Sequence, residues 1–201
     1  QLEVTTIINI LNSYDYAENY LRSSQFRASG FDGFMQEYVS MEPDRLVALP
    51  EDVNLSVAAF TEIVSVSYHT IQRFLRFSHS RRDVIGVWGD GNLGYITSLL
   101  LKAILPETKV CVFGVNEYKL HDFSFADDVY LISDIPEDFH MDHAFECVGG
   151  AASSKAINQI IDYINPEGTI SIMGVSEDFA PINTRMILEK GLRLFGSSRS
   201  G

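Results

Sequence analysis

The chain has no positive surplus: 15 Lys and Arg stand against 27 Asp and Glu, a formal net charge of −12 at pH 7. Nucleic acid and anionic membranes select basic surfaces, so neither is an expected partner. Any phosphate site must then be assembled locally, from helix ends and a few Arg or Lys. No apolar run approaches the length of a membrane span. The first residues, Gln1-Leu-Glu-Val-Thr5, lack the basic start and cleavage site of a secretory leader. Cysteine is scarce: only Cys111 and Cys147 are present, both in apolar strand-like segments suited to buried free thiols. No C-x-x-C, H-x-x-x-H or H-E-x-x-H spacing occurs, so no metal motif stands on spacing alone. Internal repeats and low-complexity stretches are missing too. These absences fit a cytoplasmic protein. The chain does not begin with Met and stops directly after a strand-like segment, so a fragment of a longer protein is expected. Its 201 residues, 46% of them hydrophobic, are enough to bury a substantial core.

What is present centres on Val84-Ile-Gly-Val-Trp-Gly89-Asp-Gly91-Asn92-Leu93-Gly94, an apolar run that breaks into G-x-G-x-x-G. The run suits a buried parallel strand, and Tyr95 to Leu105 then reads as a helix. Strand, glycine turn and helix together are the context of a dinucleotide-binding fingerprint. Gly89 permits the tight turn, Gly91 lets a pyrophosphate approach the backbone, and Gly94 lets the helix pack against the strand. The N–H groups of the first helical turn, from Asn92 and Leu93 on, face the phosphates. A second strand, Lys109 to Phe113, ends at Gly114, where an NAD-preferring site usually carries an acid for the adenosine ribose. Glycine leaves room there for a 2′-phosphate, which favours NADPH. Lys119, one turn into the next helix, could add a positive charge; its plainer reading is a solvated helix lysine.

From residue 83 strand and helix alternate to the end. The expected strands are 84–89, 109–113, 129–132, 142–147, 169–173 and 192–196. The intervening helices are 92–105, about 117–125, 153–164 and 183–190, with Asn165-Pro-Glu-Gly168 as a stop and turn signal. Six strands joined by crossovers predict an α/β fold with a doubly wound parallel six-stranded Rossmann sheet. Ligands on such sheets bind outside the carboxyl ends of the strands. The turns Cys147-Val148-Gly149 and Gly174-Val175-Ser176 should therefore line the nicotinamide half of the cleft, unless they are ordinary strand-end turns. Residues 53–82 read as a helical connector, with Asn54 or Ser56 as a cap. Before it, 33–40 and 45–50 read as strands from their alternation. Arg22 and Arg27, in a polar loop, are candidates to hold a sugar phosphate or are simply solvated.

Three groups of segments carry a resemblance to a family. Gly33-Phe-Met-Gln-Glu-Tyr-Val39 with Asp44-Arg-Leu-Val-Ala-Leu-Pro50 resembles the last strands of the GroES-like catalytic domain of the medium-chain dehydrogenase/reductase superfamily. Thr61-Glu62-Ile-Val-Ser-Val-Ser-Tyr-His69 resembles its E-P-L-x-V-x-x-H segment, and Asp142-His-Ala-Phe-Glu-Cys-Val-Gly149 its D-x-x-F-E-x-x-G strand. Ala17 to Ser24, Ser29 to Met35, Gly89 to Ile96, Phe145 to Gly150 and Gly196-Ser-Ser-Arg-Ser-Gly201 are similar to one branch, the ribulose-5-phosphate reductases. The resemblance covers residues 16–201; residues 1–15 do not match.

It implies NADPH-dependent reduction of D-ribulose 5-phosphate to D-ribitol 5-phosphate, for CDP-ribitol and teichoic acid synthesis. It implies a zinc that polarises the ketone, with Glu62 as metal ligand and catalytic residue and the remaining ligands outside this chain. It also implies a homodimer and a cytidylyltransferase of the same pathway as a partner. On this reading residues 1–52 are a remnant of the GroES-like β domain and 83–201 the coenzyme domain. Two alternatives stay open. One is a zinc-type polyol dehydrogenase oxidising an unphosphorylated sugar alcohol. The other, for this chain alone, is a nucleotide-binding module without activity.

Overall fold

A computed structural model of the chain describes residues 7–8 and 18–200. Ala17, Gly201 and, apart from Ile7–Ile8, the unmatched residues 1–15 lie outside the described residues. The chain divides into two units, Gln1–His69 with Ser198–Gly201, and Thr70–Ser197. The division falls inside the segment read as a connector, and the residues after Ser197 return to the first unit.

In the first unit β1 (Ile7–Ile8) pairs antiparallel with β2 (Gln25–Arg27), which pairs parallel with β3 (Gly30–Phe31). A short helix α1 (Leu55–Ala58) follows, and then α2 (Thr61–Phe77), which carries the chain across the division. Asn54 is the cap that α1 uses: its Oδ1 accepts from the amides of Ser56 at 2.9 Å and Val57 at 3.3 Å. The strands expected over 33–40 and 45–50 do not form; this stretch holds only a single helical turn at Pro43–Arg45. A strand exists through the backbone bonds of a neighbour, and no described strand runs beside it. Met35, Tyr38 and Val47 are accordingly 87–88% exposed, so the alternation that suggested strands buries neither face.

The second unit is the predicted parallel sheet. Its strands are β4 (Val84–Trp88), β5 (Lys109–Gly114), β6 (Asp128–Leu131), β7 (Met141–Glu146), β8 (Ile164–Ile172) and β9 (Arg193–Gly196). They lie in the order β6-β5-β4-β7-β8-β9, every pair parallel. Strand order reverses between β4 and β7, which opens a crevice at their carboxyl ends. The crossovers run through α3 (Asn92–Ile104), α4 (Glu117–Leu120), α5 (Ser153–Tyr163) and α6 (Thr184–Lys190).

Alternation along β5 sends Cys111 and Phe113 into one core and Val112 into another, so both faces of the sheet are covered. Helix α5 buries Ala156, Ile157, Ile160 and Ile161, a stripe at helical spacing. Each isoleucine so buried contributes roughly 1.5–3 kcal/mol. Helix α4 is shorter than the expected 117–125, because Phe123 turns inward to join Leu120 and Val112. The Asn165–Gly168 signal is no loop between helix and strand. Strand β8 already starts at Ile164, and the irregularity is taken up as a register shift opposite Met141/His143, with Glu167 at φ +62°.

The amino ends of β4 and β7 are tied by a buried polar group. Asp142 Oδ2 accepts from the amides of Asp83 at 2.9 Å and Val84 at 3.2 Å, and Oδ1 accepts from Asn165. Burial pushes this carboxyl up, but the Val84 amide, Asn165 and Arg81 outweigh it and hold it below the usual range. Beside it His143 is fully buried. Its Nδ1 accepts from the Thr169 amide at 3.1 Å and its Nε2 donates to the Arg81 carbonyl at 2.9 Å, which leaves the ring one neutral tautomer. Burial first, and the neighbouring His79 second, lower its pKa from 6.5 to about 4. A base depressed in the fold destabilises it as pH falls, because the unfolded chain takes up the proton first. Unfolding free energy should therefore decline between pH 6.5 and about 4, by roughly 3 kcal/mol at 1.36 kcal/mol per pKa unit. Below that the loss should continue, because Asp142 is held below the usual carboxylate range and the unfolded chain again takes up the proton first. Denaturant titrations at a series of pH values read this directly, and a flat profile from pH 6.5 to 4.5 would contradict it.

Candidate functional site

At the carboxyl ends of β4, β5, β6 and β7 lies a cleft of about 380 Å³. Trp88, Gly89, Asp90 and Gly91 enter it from β4 and its turn, Phe113, Gly114 and Val115 from β5, Ile132 from β6, and Cys147 and Val148 from β7. Ala152, Lys155, Ala156 and Gln159 close it along α5. Its floor is aromatic: the Trp88 and Phe113 rings stack with centroids 3.8 Å apart. Trp88 Nε1 donates to Gln159 Oε1 at 3.0 Å, and Gln159 Nε2 donates to the Ile132 carbonyl at 2.9 Å.

The three fingerprint glycines stand in different surroundings. Gly89 has φ +127°, and a Cβ there would stand 2.9 Å from the Cys147 carbonyl oxygen. A Cβ on Gly94 would collide with the Gly89 carbonyl oxygen, so the first turn of α3 sits directly on the strand end. Around Gly91 nothing lies within 4 Å of where a Cβ would stand. Gly91 is also the N-cap of α3, and no side chain caps the helix there. An open backbone beside the N–H groups that begin at Asn92 and Leu93 fits a pyrophosphate.

Gly114 serves a different end from the one the sequence suggested. Asp90 Cβ and Oδ2 each lie 2.7 Å from where a Gly114 Cβ would stand. Asp90 Oδ2 accepts from the amides of Val115 at 2.9 Å and Asn116 at 2.8 Å. The space left by the missing side chain is filled by the acid of the fingerprint itself, which ties the β4 turn to the β5 turn. Lys119 is exposed on α4 and does not line the cleft.

Cys147 lines the cleft as a neutral surface. Burial pushes its thiol up to about 12, against the Thr97 hydroxyl 3.8 Å away, so it is not a nucleophile at neutral pH. Gly149 has φ +66°, and a Cβ on Gly174 would strike the Gly149 amide. The two turns are laced together: the Gly150 amide donates to the Val175 carbonyl at 2.7 Å and Ser176 Oγ to the Gly150 carbonyl at 2.7 Å. Val175 is 81% exposed. Beneath them Glu146, fully buried, accepts from the Val148, Gly149 and Gly174 amides at 2.9–3.1 Å.

The remaining candidates belong to the first unit. Glu62 is half-buried in the first turn of α2. Arg22 is exposed on a turn, while Arg27 donates to the Ser40 carbonyl at 2.8 Å and lies over the Phe34 ring. Among the described residues no three His, Cys, Asp or Glu side chains group so as to hold a metal ion. A catalytic zinc takes about three protein ligands, so Glu62 and the other described residues do not fit zinc by themselves. Reading the sequence missed Asp90, Glu146, Lys155 and Gln159. Asp90 and Glu146 stood inside quoted motifs, and Lys155 and Gln159 share a helix face at i, i+4.

No protein-family model matches the chain. It is 59% identical over 185 residues to ribulose-5-phosphate reductase 1 of Staphylococcus aureus, covering 92% of this chain and 54% of that protein. It is equally similar, at 59% over 185 residues, to the ribulose-5-phosphate reductase of Bacillus spizizenii. A crystal structure of S. aureus TarJ in complex with NADPH superposes with a TM-score of 0.81 at 58% identity, over 85% of this chain and 54% of that one. The chain thus spans about half the length of the curated relatives it matches.

The contrast between two glycines gives a direct check. Gly94→Ala should destabilise the second unit by about 2 kcal/mol or more, since backbone must move to admit the methyl group. Gly91→Ala meets open space and should change stability by less than about 0.5 kcal/mol. Thermal unfolding of both variants measures this; equal effects would show that the two turns are not packed as described.

Proposed function

Since the chain is homologous to the ribulose-5-phosphate reductases over nearly its whole length, we propose that it forms the coenzyme-binding part of an NADPH-dependent reductase of that kind. The observation that carries the reading is the cleft at the β4–β7 crevice, with Gly91 open beside an uncapped helix start. The pyrophosphate rests on Gly91 and the first N–H groups of α3. The adenosine lies toward Gly114 and Val115, and the nicotinamide toward the Cys147–Gly149 and Gly174–Ser176 turns. When bound, NADPH would supply a hydride to the C2 ketone of D-ribulose 5-phosphate, leaving NADP+, and a proton from solvent would complete D-ribitol 5-phosphate.

The protein's own contribution is positional. Glu146 fixes the two turns through three amides, and the neutral Cys147 keeps that end of the cleft apolar and free of a competing thiolate. Arg22 and Arg27 are the candidates for the sugar phosphate, Arg27 with one contact already made to Ser40. In the whole protein the reading extends to a homodimer in the cytoplasm that feeds ribitol phosphate to a cytidylyltransferase for CDP-ribitol and teichoic acid synthesis. No described helix is long and apolar enough to cross a membrane. Zinc comes to this reading only from the family resemblance, through Glu62.

Trp88, the sole tryptophan, lines the cleft, so its emission reports occupancy without a label. Titration should show saturable quenching, with NADPH binding about tenfold or more tighter than NADH, equivalent to about 1.4 kcal/mol. Equal or tighter binding of NADH contradicts the NADPH assignment. Metal analysis of the same chain should find well under one zinc per molecule; one tightly held zinc would mean that ligands other than Glu62 have been overlooked.

A further inference from the structure

We propose that Lys155 is the cation that receives the 2′-phosphate of NADPH, which makes it a determinant of coenzyme preference. The proposal rests on the reading of the cleft as an NADPH site. A 2′-phosphate brings nearly two negative charges into a strongly acidic protein, so a nearby cation must answer it. Of the described residues that line the cleft, only Asp90 and Lys155 carry charge. Asp90 has turned Oδ2 onto two backbone amides and offers an anion only repulsion.

The other cations of this unit are mostly engaged elsewhere. They pair with carboxylates, as Lys102 does with Asp127 at 2.8 Å, or donate to carbonyls, as Lys190 does at the end of α5. Arg76 lies over the Phe77 ring. Lys119 and Lys155 are exposed, and of these only Lys155 lines the cleft.

Its position follows from the helix. Gln159, one turn further along the same face of α5, is anchored to Trp88 and Ile132 in the cleft. That anchor turns the Lys155 face toward the cavity and sets its long, flexible stem one turn nearer the start of α5. The same cleft is lined by Gly114 and Val115, the end of β5, where an adenosine ribose sits on sheets of this topology. The pyrophosphate is served separately, at Gly91. Lys155 is thus left for the phosphate that distinguishes the two coenzymes, and it supplies what the filled space above Gly114 does not.

The test compares NADPH, NADH, 2′,5′-ADP and 5′-AMP on the 201-residue chain, by Trp88 quenching and by displacement. Lys155→Ala should weaken NADPH and 2′,5′-ADP tenfold or more and leave NADH and 5′-AMP within twofold. Lys155→Arg should restore most of the loss, and circular dichroism should be unchanged for both. Equal weakening of all four ligands would make Lys155 an adenine or cleft-wall contact and overturn the assignment. So would a selective loss in Lys119→Ala with none in Lys155→Ala. If the unmodified chain binds NADH and 5′-AMP but shows no gain from the 2′-phosphate, the NADPH reading itself has failed, and the Lys155 assignment with it.

Discussion

The site depends on backbone meeting backbone at the carboxyl ends of three strands. Gly94 presses on the Gly89 carbonyl, Gly89 on the Cys147 carbonyl, and Gly174 on the Gly149 amide. None of these approaches leaves room for a Cβ. Packing so close would strand amides away from water, at a cost of roughly 1–3 kcal/mol each. The buried Glu146 carboxylate prevents that by accepting from three of them. With the strand ends locked, the turn at Gly91 is left standing free, and on the proposed reading the opening beside it takes the phosphates.

Charge is handled by the same local economy. The chain is acidic in balance, yet the cleft combines an uncapped helix start, an acid turned onto two backbone amides and one exposed lysine. Cys147, held protonated by burial, adds surface without reactivity. At the opposite end of the sheet Asp142 and His143 do purely structural work. Buried polar groups there bind the strand starts together, at the end of the sheet away from the cleft.

Most of the sheet could be read from the sequence because local signals carried it. The fingerprint announced strand, turn and helix in a row, and the six apolar runs between helical stretches implied parallel crossovers. The tight turn at Gly89 and the close approach at Gly94 also followed from spacing. What stayed hidden depended on contacts between distant segments. Gly114 looked vacant until Asp90, far back in the chain, was seen to fill it. Gln159 gains its meaning only from Trp88 and Ile132. Residues 33–50 alternate like strands, but alternation describes one strand's faces and says nothing about whether a neighbour is present to bond it.

Amide hydrogen exchange, followed with and without NADPH, bears most directly on the claim that the locked strand ends present a ready-made dinucleotide cleft. Added NADPH should slow exchange at Gly91 to Gly94 and in the turns after β5 and β7. The Glu146-bonded amides should already be protected in the free chain. Protection by NADPH confined to other segments, or fast exchange at Val148, Gly149 and Gly174 without ligand, would contradict the account.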